Sequence, residues 1–158
     1  MNKSIFLLFV LLLSSLFAIC NSYKVDYYNT LSSNDTILIN NQLKIVANSK
    51  FVEKKAFMGA LLMKKAGLMS SLKEKLSFFK KGKQLLEDAI LNEKQNAEYR
   101  FLRIMIQENC PSILMYYKNI EEDKELLKNQ FKKLEIEVKN AIIDYCKISE
   151  VIKINEFE

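Results

Sequence analysis

Residues 56–63 read AFMGALLM, and this octapeptide decides the fold. On a helix of about 3.6 residues per turn, these residues are apolar on nearly every side. A helix without a solvated face in its middle has to be surrounded by other helices. We therefore predict a central helix over residues 51–66. We expect Gly67 to end it in the left-handed conformation that glycine adopts readily.

Composition extends this prediction to the whole chain. The 158 residues are 49% hydrophobic and 27% charged, with only 3 Gly and 1 Pro. Sheet sandwiches and barrels need many turns, and turns depend on Gly and Pro. Because the chain has so few Gly and Pro residues, sheet sandwiches and barrels are excluded. The same composition excludes collagen-like and low-complexity chains. The composition predicts one all-α domain.

The spacing of apolar residues predicts five further helices. The first has Asn34 or Asp35 as its N-cap and carries Ile39, Leu43 and Val46 on one face. Short links between the helices predict an antiparallel array of about six helices, arranged as stacked hairpins. The remaining helices are expected over residues 72–92 with the apolar stripe Leu72, Leu76, Phe79, Leu86, Ala89 and Ile90, from residue 97 to a stop at Pro111, from a cap at Asn119, and over residues 135–148.

Small residues on two of these helices predict a close approach between them. Gly82 lies inside the helix over residues 72–92, where glycine costs about 1 kcal/mol relative to alanine. A glycine kept at that cost indicates a packing role, because a missing side chain lets two helices come close together. Gly59 and Ala60 supply matching small residues on the central helix. We predict that the two helices cross near Gly59 and Gly82.

The first twenty residues have the layout of an export signal. Lys3 precedes an apolar run from Ile5 to Ile19, and this segment contains no acidic residue. The run is shorter than the about 20 residues that a membrane-spanning helix needs. We predict a cleaved signal peptide over residues 1–20, with the cut between Cys20 and Asn21. The alternative is a lipoprotein in which Cys20 carries the acyl group.

Removal of the signal peptide leaves two parts of unequal character. Residues 21–33 are polar with three tyrosines, and they predict a lead-in segment. Residues 34–158 are then expected to form a single helical domain. We expect the mature chain to be exported, either periplasmic or secreted, with membrane contact only through the signal peptide or an acyl group on Cys20.

Cys110 and Cys146 remain after cleavage, and the sequence leaves two states open for them. Export places them in an oxidising compartment, where a disulfide between them would persist. The loop it closes would stabilise the domain by roughly 3–4 kcal/mol. Each cysteine also has apolar neighbours, so two buried free thiols are the alternative.

Absent residue types exclude several kinds of chemistry. The chain contains no His, which removes the commonest general base and the commonest zinc-binding nitrogen. No glycine-rich phosphate loop, serine elbow or calcium-binding loop occurs. We predict no catalytic residue, no metal ligand and no cofactor. The net charge of +5 comes from lysines without interleaved aromatic residues, so nucleic-acid binding is not expected either.

The middle of the chain resembles a known repeat family. Residues 79–107 resemble the second helix of one tetratricopeptide repeat, its connector and the first helix of the next. Gly82 and Ala89 match a small residue and the Ala seven positions later, while Gly59 and Ala60 resemble the small position of a first helix. The resemblance covers residues 51–109 and implies stacked helical hairpins. As a whole, the chain is similar to small exported helical proteins of bacteria, which implies a compartment and a fold but no reaction.

A polar line on an otherwise apolar helix is the candidate binding surface. Arg side chains recognise carboxylates through paired hydrogen bonds, and first helices of stacked hairpins tend to line a concave face. One alternative pairs the two arginines with Glu98 or with the acidic residues 121–123, and another treats the line as a solvated face. The predicted partner-binding residues are Arg100, Arg103 and Gln107, with Tyr116, Tyr117 and Asn119 as an amphipathic rim.

Together these patterns predict an exported, non-catalytic binding or assembly module of the cell envelope that engages an unidentified protein or peptide. The oligomeric state stays open. One alternative is a small exported hydrolase that uses two carboxylates brought together by folding. Another is a lipid-anchored structural protein of the envelope. Facing carboxylates in a closed pocket would favour the enzyme, whereas an open apolar groove would favour binding.

Overall fold

Helices account for most of the described chain. The computed structural model describes residues 23–157, and within that range there is no β-strand. The predicted all-α class is therefore confirmed. The predicted signal peptide over residues 1–20, with Cys20 and its cleavage site, lies outside the described residues. The helices are α1 (described over residues 23–32), α2 (Thr36–Asn48), α3 (Lys54–Leu68), α4 (Leu72–Asn92), α5 (Ala97–Glu108), α6 (Ile120–Gln130) and α7 (Ile136–Cys146), with short 3-10 helices at Ser112–Leu114, Phe131–Lys133 and Ile154–Glu156.

Helix α3 is the central element, as its apolar middle predicts. It contacts α2, α4 and α5, so each side of its middle has a neighbour. Its side chains Phe57 and Leu61 are fully buried. The helix contributes eight buried residues to the core, and these are Ala56, Phe57, Gly59, Ala60, Leu61, Leu62, Met63 and Ala66.

Helices α3 and α4 approach each other at the two glycines that the sequence singles out. A Cβ added to Gly59 would lie 2.8 Å from the carbonyl oxygen of Gly82, and one added to Gly82 would lie 2.6 Å from the carbonyl oxygen of Gly59. Backbone therefore faces backbone, with no room for a methyl group on either side. Ala60 and Ala89, the other small residues of the pattern, are also buried.

Residues 23–32 correct the sequence prediction. They form helix α1 instead of a polar lead-in, and the domain therefore begins well before residue 34. Tyr27 is fully buried, and its ring stacks on Phe57 of α3 with 4.0 Å between ring centroids. Its hydroxyl donates a hydrogen bond of 3.2 Å to the Phe57 carbonyl. Tyrosines that look polar in the sequence thus supply aromatic surface to the core.

Helix ends follow the expected caps at some positions and not at others. The Asp35 carboxylate accepts hydrogen bonds from the backbone of Ile37 and Leu38, which starts α2 as predicted. Gly67 does not end α3 in a left-handed conformation: the helix continues to Leu68, and Met69 then turns extended. Among the described residues only Met115 has a positive φ. The prediction for Gly67 is therefore wrong.

The apolar stripe of α4 is buried along only part of its length. Leu86, Ala89 and Ile90 lie in the core as predicted, but Leu72 and Leu76 in the first turns are exposed. Helix α4 packs beside α3 and α5, and its buried residues lie in its C-terminal half. Within residues 23–157, the apolar side chains of its first turns are not covered by another element.

Candidate functional site

The two arginines of the predicted binding line lie inside the protein. Both Asp123 oxygens accept hydrogen bonds from Arg103, at 2.6 Å from Nε and 2.7 Å from Nη2. Arg100 Nη1 reaches the same carboxylate at 2.8 Å. Asp123 has no exposed surface, and Arg103 retains 3%. The three side chains form a buried ion cluster that joins α5 to the first turn of α6.

Helix α4 contributes to the same cluster. Glu87 Oε2 lies 2.8 Å from Arg103 Nη1, and Glu87 Oε1 accepts a 2.5 Å hydrogen bond from the Tyr116 hydroxyl. Burial and the neighbouring Glu87 raise the pKa of Tyr116 far above its usual value, so its hydroxyl stays protonated and donates. Burial opposes the charge of Arg103, but Asp123 and Glu87 outweigh it and raise the pKa of that guanidinium.

The predicted partner-binding surface is therefore wrong for four of its six residues. Arg100, Arg103, Gln107 and Tyr116 are all buried. Acids of α4 and α6 neutralise the two arginines within the fold. This is the pairing alternative, with Asp123 and Glu122 as the partners and not Glu98.

The other two predicted residues behave differently. Asn119 is the N-cap residue of α6, but its side chain makes no capping hydrogen bond. Its Oδ1 instead accepts from Gln107 Nε2 at 3.5 Å, while the buried Oε1 of Gln107 has no partner. Tyr117 is 48% exposed, so its ring is accessible from the surface.

The sequence did not indicate a second charge cluster, in which Lys24 and Glu98 are buried. Lys24 of α1 lies 2.9 Å from Glu98 of α5 and 2.9 Å from Glu135, the residue before α7. The hydroxyl of Tyr28 donates to the other oxygen of Glu98 at 2.9 Å. The cluster fastens α1 to the rest of the domain. A charged residue on the apolar helix α5 was the only available signal, and it does not identify a partner 74 positions away.

Both cysteines of the domain are free thiols in the structure. Cys146 is buried and Cys110 is half-buried, which is the second of the two states that the sequence left open. Burial raises the pKa of the Cys146 thiol to about 11 and also raises the pKa of Cys110. A thiol held in its protonated form is a poor nucleophile, so the described residues offer no activated cysteine.

An apolar groove opens where several helices end together. Its walls come from the C-terminal ends of α1, α3, α5 and α7, from the first two turns of α4, and from residues 110–114. The groove has a volume of about 540 Å³. Ligand pockets in proteins commonly measure roughly 300–1,000 Å³, so the size fits a small molecule or a short apolar segment. The apolar residues of the walls include Leu31, Met63, Leu68, Leu72, Leu76, Phe79, Met105, Ile106, Ile113, Leu114 and Ile148.

Several of these wall residues extend into solvent. Ile113 is 87% exposed, and Leu72 and Ile148 are also mostly exposed. Scattered exposed apolar residues are ordinary, but a group of them around a concave surface marks a binding region. The sequence carried a signal for this region, because Ile113, Leu114 and Met115 are apolar and lie in a loop after Pro111.

The groove contains positive charge and no carboxylate. In the described part of the chain, Lys64 and Lys75 are the two charged residues in its walls, and no Asp or Glu lines it. Lys64 is half-buried, and its Nζ donates to Asn34 Oδ1 at 3.0 Å. Among the described residues no carboxylate lies within ion-pair distance of Lys64 or Lys75. Burial lowers the pKa of the Lys64 ammonium.

Two further properties concern metals and membranes. Across residues 23–157, no three side chains of the His, Cys, Asp or Glu type gather closely enough to hold a metal ion. In the same range, no helix combines the length and the apolar character needed to cross a bilayer.

Comparison with known proteins gives no match to this chain. No protein-family model matches it, and no curated protein or solved structure is significantly similar to it. The likeness to tetratricopeptide repeats therefore stays a prediction from residue spacing, and function has to be argued from the groove itself.

Proposed function

We propose that this chain is an exported, non-catalytic binding module that buries the apolar part of a partner in the groove. The observation that carries the proposal is an open apolar groove of about 540 Å³ without any carboxylate in its walls. Burial of apolar surface is the dominant favourable contribution to most association. The groove replaces the polar line of Arg100, Arg103 and Gln107 as the expected contact region. The proposal does not depend on the likeness to stacked helical hairpins.

The hydrolase alternative receives less support from the same geometry. Two carboxylates that cleave a glycosidic bond must face each other across a substrate site. The buried carboxylates Asp123 and Glu98 are each held in ion pairs with basic side chains. Glu137 is buried as well. None of these three carboxylates is among the residues that line the groove.

Export rests on the sequence of residues 1–20, and the mass of the mature chain tests it. The chain is expressed with its own leader in an exporting host and recovered from the exported fraction. We expect a mature chain that begins at Asn21. A mass that includes an acylated Cys20 would favour the lipid-anchored alternative, and an unprocessed chain retained in the cytoplasm would contradict export.

Binding in the groove is testable with a neutral apolar dye such as Nile red. Gly67 lines the groove, and a Cβ added there would meet no atom within 4 Å. Gly67→Leu should place a side chain in the groove without disturbing the core, and it should weaken dye binding severalfold. Gly67→Ala is the matched control, which should bind the dye nearly as the wild type does. Equal binding in all three proteins would mean that the groove is not the binding region.

A further inference from the structure

The walls of the groove are mostly apolar, and their charged side chains are all positive. Apolar side chains come from five helices and one loop, whereas the charged groups are Lys64 and Lys75 alone. Acidic residues are common in the chain, which has 19 Asp and Glu in total. Asp123 and Glu98, the buried carboxylates of the two ion clusters, are paired with basic side chains within the fold. In the walls of the groove, by contrast, the half-buried Lys64 has no carboxylate within ion-pair distance among the described residues.

Lys64 is the partly buried charge in the walls of the groove. It lies half-buried on α3 in the wall of the groove, and within residues 23–157 Asn34 is its one side-chain hydrogen-bond partner. An ammonium has three donors. Partial removal from water without a counter-charge is unfavourable, and burial indeed lowers the pKa of Lys64. An anionic group placed beside it would restore the lost stabilisation.

The neighbouring Lys65 has different surroundings. Lys65 donates to Asn40 Oδ1 at 2.7 Å and also lies 4.4 Å from the ring centroid of Phe78, and it does not line the groove. Two adjacent lysines on one helix therefore differ in their surroundings. Lys65 is satisfied by the fold, whereas Lys64 faces the groove together with Lys75.

We propose that the groove binds a single-chain anionic amphiphile, with the hydrocarbon chain against the apolar walls and the carboxylate beside Lys64 and Lys75. This inference rests on the proposed function and deepens it by naming the class of partner. A hydrocarbon chain needs no hydrogen bonds from the walls, and the walls offer few. The anionic head group needs a positive charge at the edge of the apolar surface, and the two lysines supply it.

Calorimetric titration of the purified chain with dodecanoate and dodecan-1-ol, both kept below aggregation, tests the inference. The two probes share one hydrocarbon chain and differ in head-group charge. We expect one molecule of dodecanoate per chain, bound about tenfold more tightly than the alcohol, as one charge-assisted hydrogen bond would produce. The chain contains no Trp, so Leu76→Trp provides a single reporter of occupancy in the groove.

Matched variants locate the head group. Lys64→Met keeps the apolar stem but removes the ammonium, and it should abolish the preference for dodecanoate over the alcohol. Lys65→Met is the control on the same helix and should leave the preference unchanged. Gly67→Leu should weaken both probes alike, because it occupies the space of the hydrocarbon chain.

Each remaining outcome would overturn the inference in a distinguishable way. Equal affinity for the two probes would refute the anionic partner and leave the proposed function standing. Failure of both probes and of the neutral dye to bind in the groove would refute the inference and the proposed function together, whereas failure of the two probes alone would refute only the inference. If only vesicles of anionic lipid, or only an acidic amphipathic peptide, bound in a Lys64-dependent manner, the partner would be a membrane surface or a protein and the inference would be wrong.

Discussion

Asp123 is the buried carboxylate that two buried arginines share. It neutralises Arg100 and Arg103 at distances of 2.6–2.8 Å, in a region where neither arginine can reach water easily. Removing one partner of a buried ion pair costs about 3–5 kcal/mol, because the other charge stays buried and unpaired. We expect Asp123→Asn to lower the free energy of unfolding by about this amount, as measured by urea denaturation.

Glu122 provides the control for that measurement. It also contacts Arg100, at 3.2 Å, but 65% of its side chain is exposed to solvent. Exposed ion pairs contribute at most about 1 kcal/mol. Glu122→Gln should therefore unfold close to the wild-type midpoint. A similar small effect in Asp123→Asn would show that the buried cluster does not stabilise the fold.

Glu156 makes the C-terminal turn sensitive to acid. Burial opposes its ionisation, but the backbone N–H of Lys153 and the ammonium groups of Lys128 and Lys124 outweigh it and lower the pKa of Glu156 to about 2. Because this pKa lies below the ordinary value of 4.5, the carboxylate stabilises the fold at pH values above 4.5. That stabilisation is lost as the pH falls through about 2.

The comparison of wild type with Glu156→Gln measures this contribution. The difference in unfolding free energy should be constant above about pH 5, shrink as the pH falls and vanish near pH 2. A difference that does not change with pH would mean that the ionised carboxylate has no role in holding the turn.

At the scale of elements, we expect alanine substitutions at two glycines of α3 to change the stability of the protein in opposite directions. A methyl group on Gly59 would lie 2.7 Å from the backbone nitrogen of Leu86, whereas one on Gly67 would meet nothing. Gly59→Ala should destabilise the protein by about 1–3 kcal/mol, because α3 and α4 must separate. Gly67→Ala should stabilise it by about 0.5–1 kcal/mol, because alanine is the better helix former.

Thermal or urea unfolding of the two variants distinguishes packing from helix propensity. Both substitutions add the same group to the same helix, so propensity alone would stabilise both proteins. Stabilisation of Gly59→Ala would therefore mean that the close approach to α4 is more tolerant than the backbone distances indicate.

At the scale of the whole molecule, we expect α1 to unfold together with the rest of the domain. Tyr27 is fully buried and stacks on Phe57, while Lys24 of the same helix pairs with Glu98 of α5. Truncation of a buried aromatic side chain to alanine costs roughly 3–5 kcal/mol. Tyr27→Ala should thus lower the stability of the entire domain, with α1 and α3 losing protection from hydrogen exchange together.

Val25→Ala is the matched control, because Val25 is on the same helix and is half-exposed. It should change the free energy of unfolding by less than about 0.5 kcal/mol. If Tyr27→Ala exposed only the amides of α1 and left α3 fully protected, α1 would be an appendage and not part of the domain.

The sequence by itself determined the helical class, because three glycines and one proline leave too few turns for a sheet fold. It also located the contact between α3 and α4, since a glycine inside a helix is costly unless close packing requires it. The Asp35 cap of α2 was readable for a similar reason: a short polar side chain before an apolar period satisfies free backbone donors locally.

Only the tertiary structure decided which side chains are reachable. Arg100 and Arg103 have a polar pattern that fits both an open surface and a buried ion cluster, and the choice depends on Asp123, about twenty positions away. Leu72 and Leu76 continue the apolar stripe of α4, yet among the described residues they are exposed and not buried. Periodicity states how residues are arranged on one helix, whereas burial depends on which other helix lies opposite. The groove exists because several helices end together there, and that convergence is a property of packing.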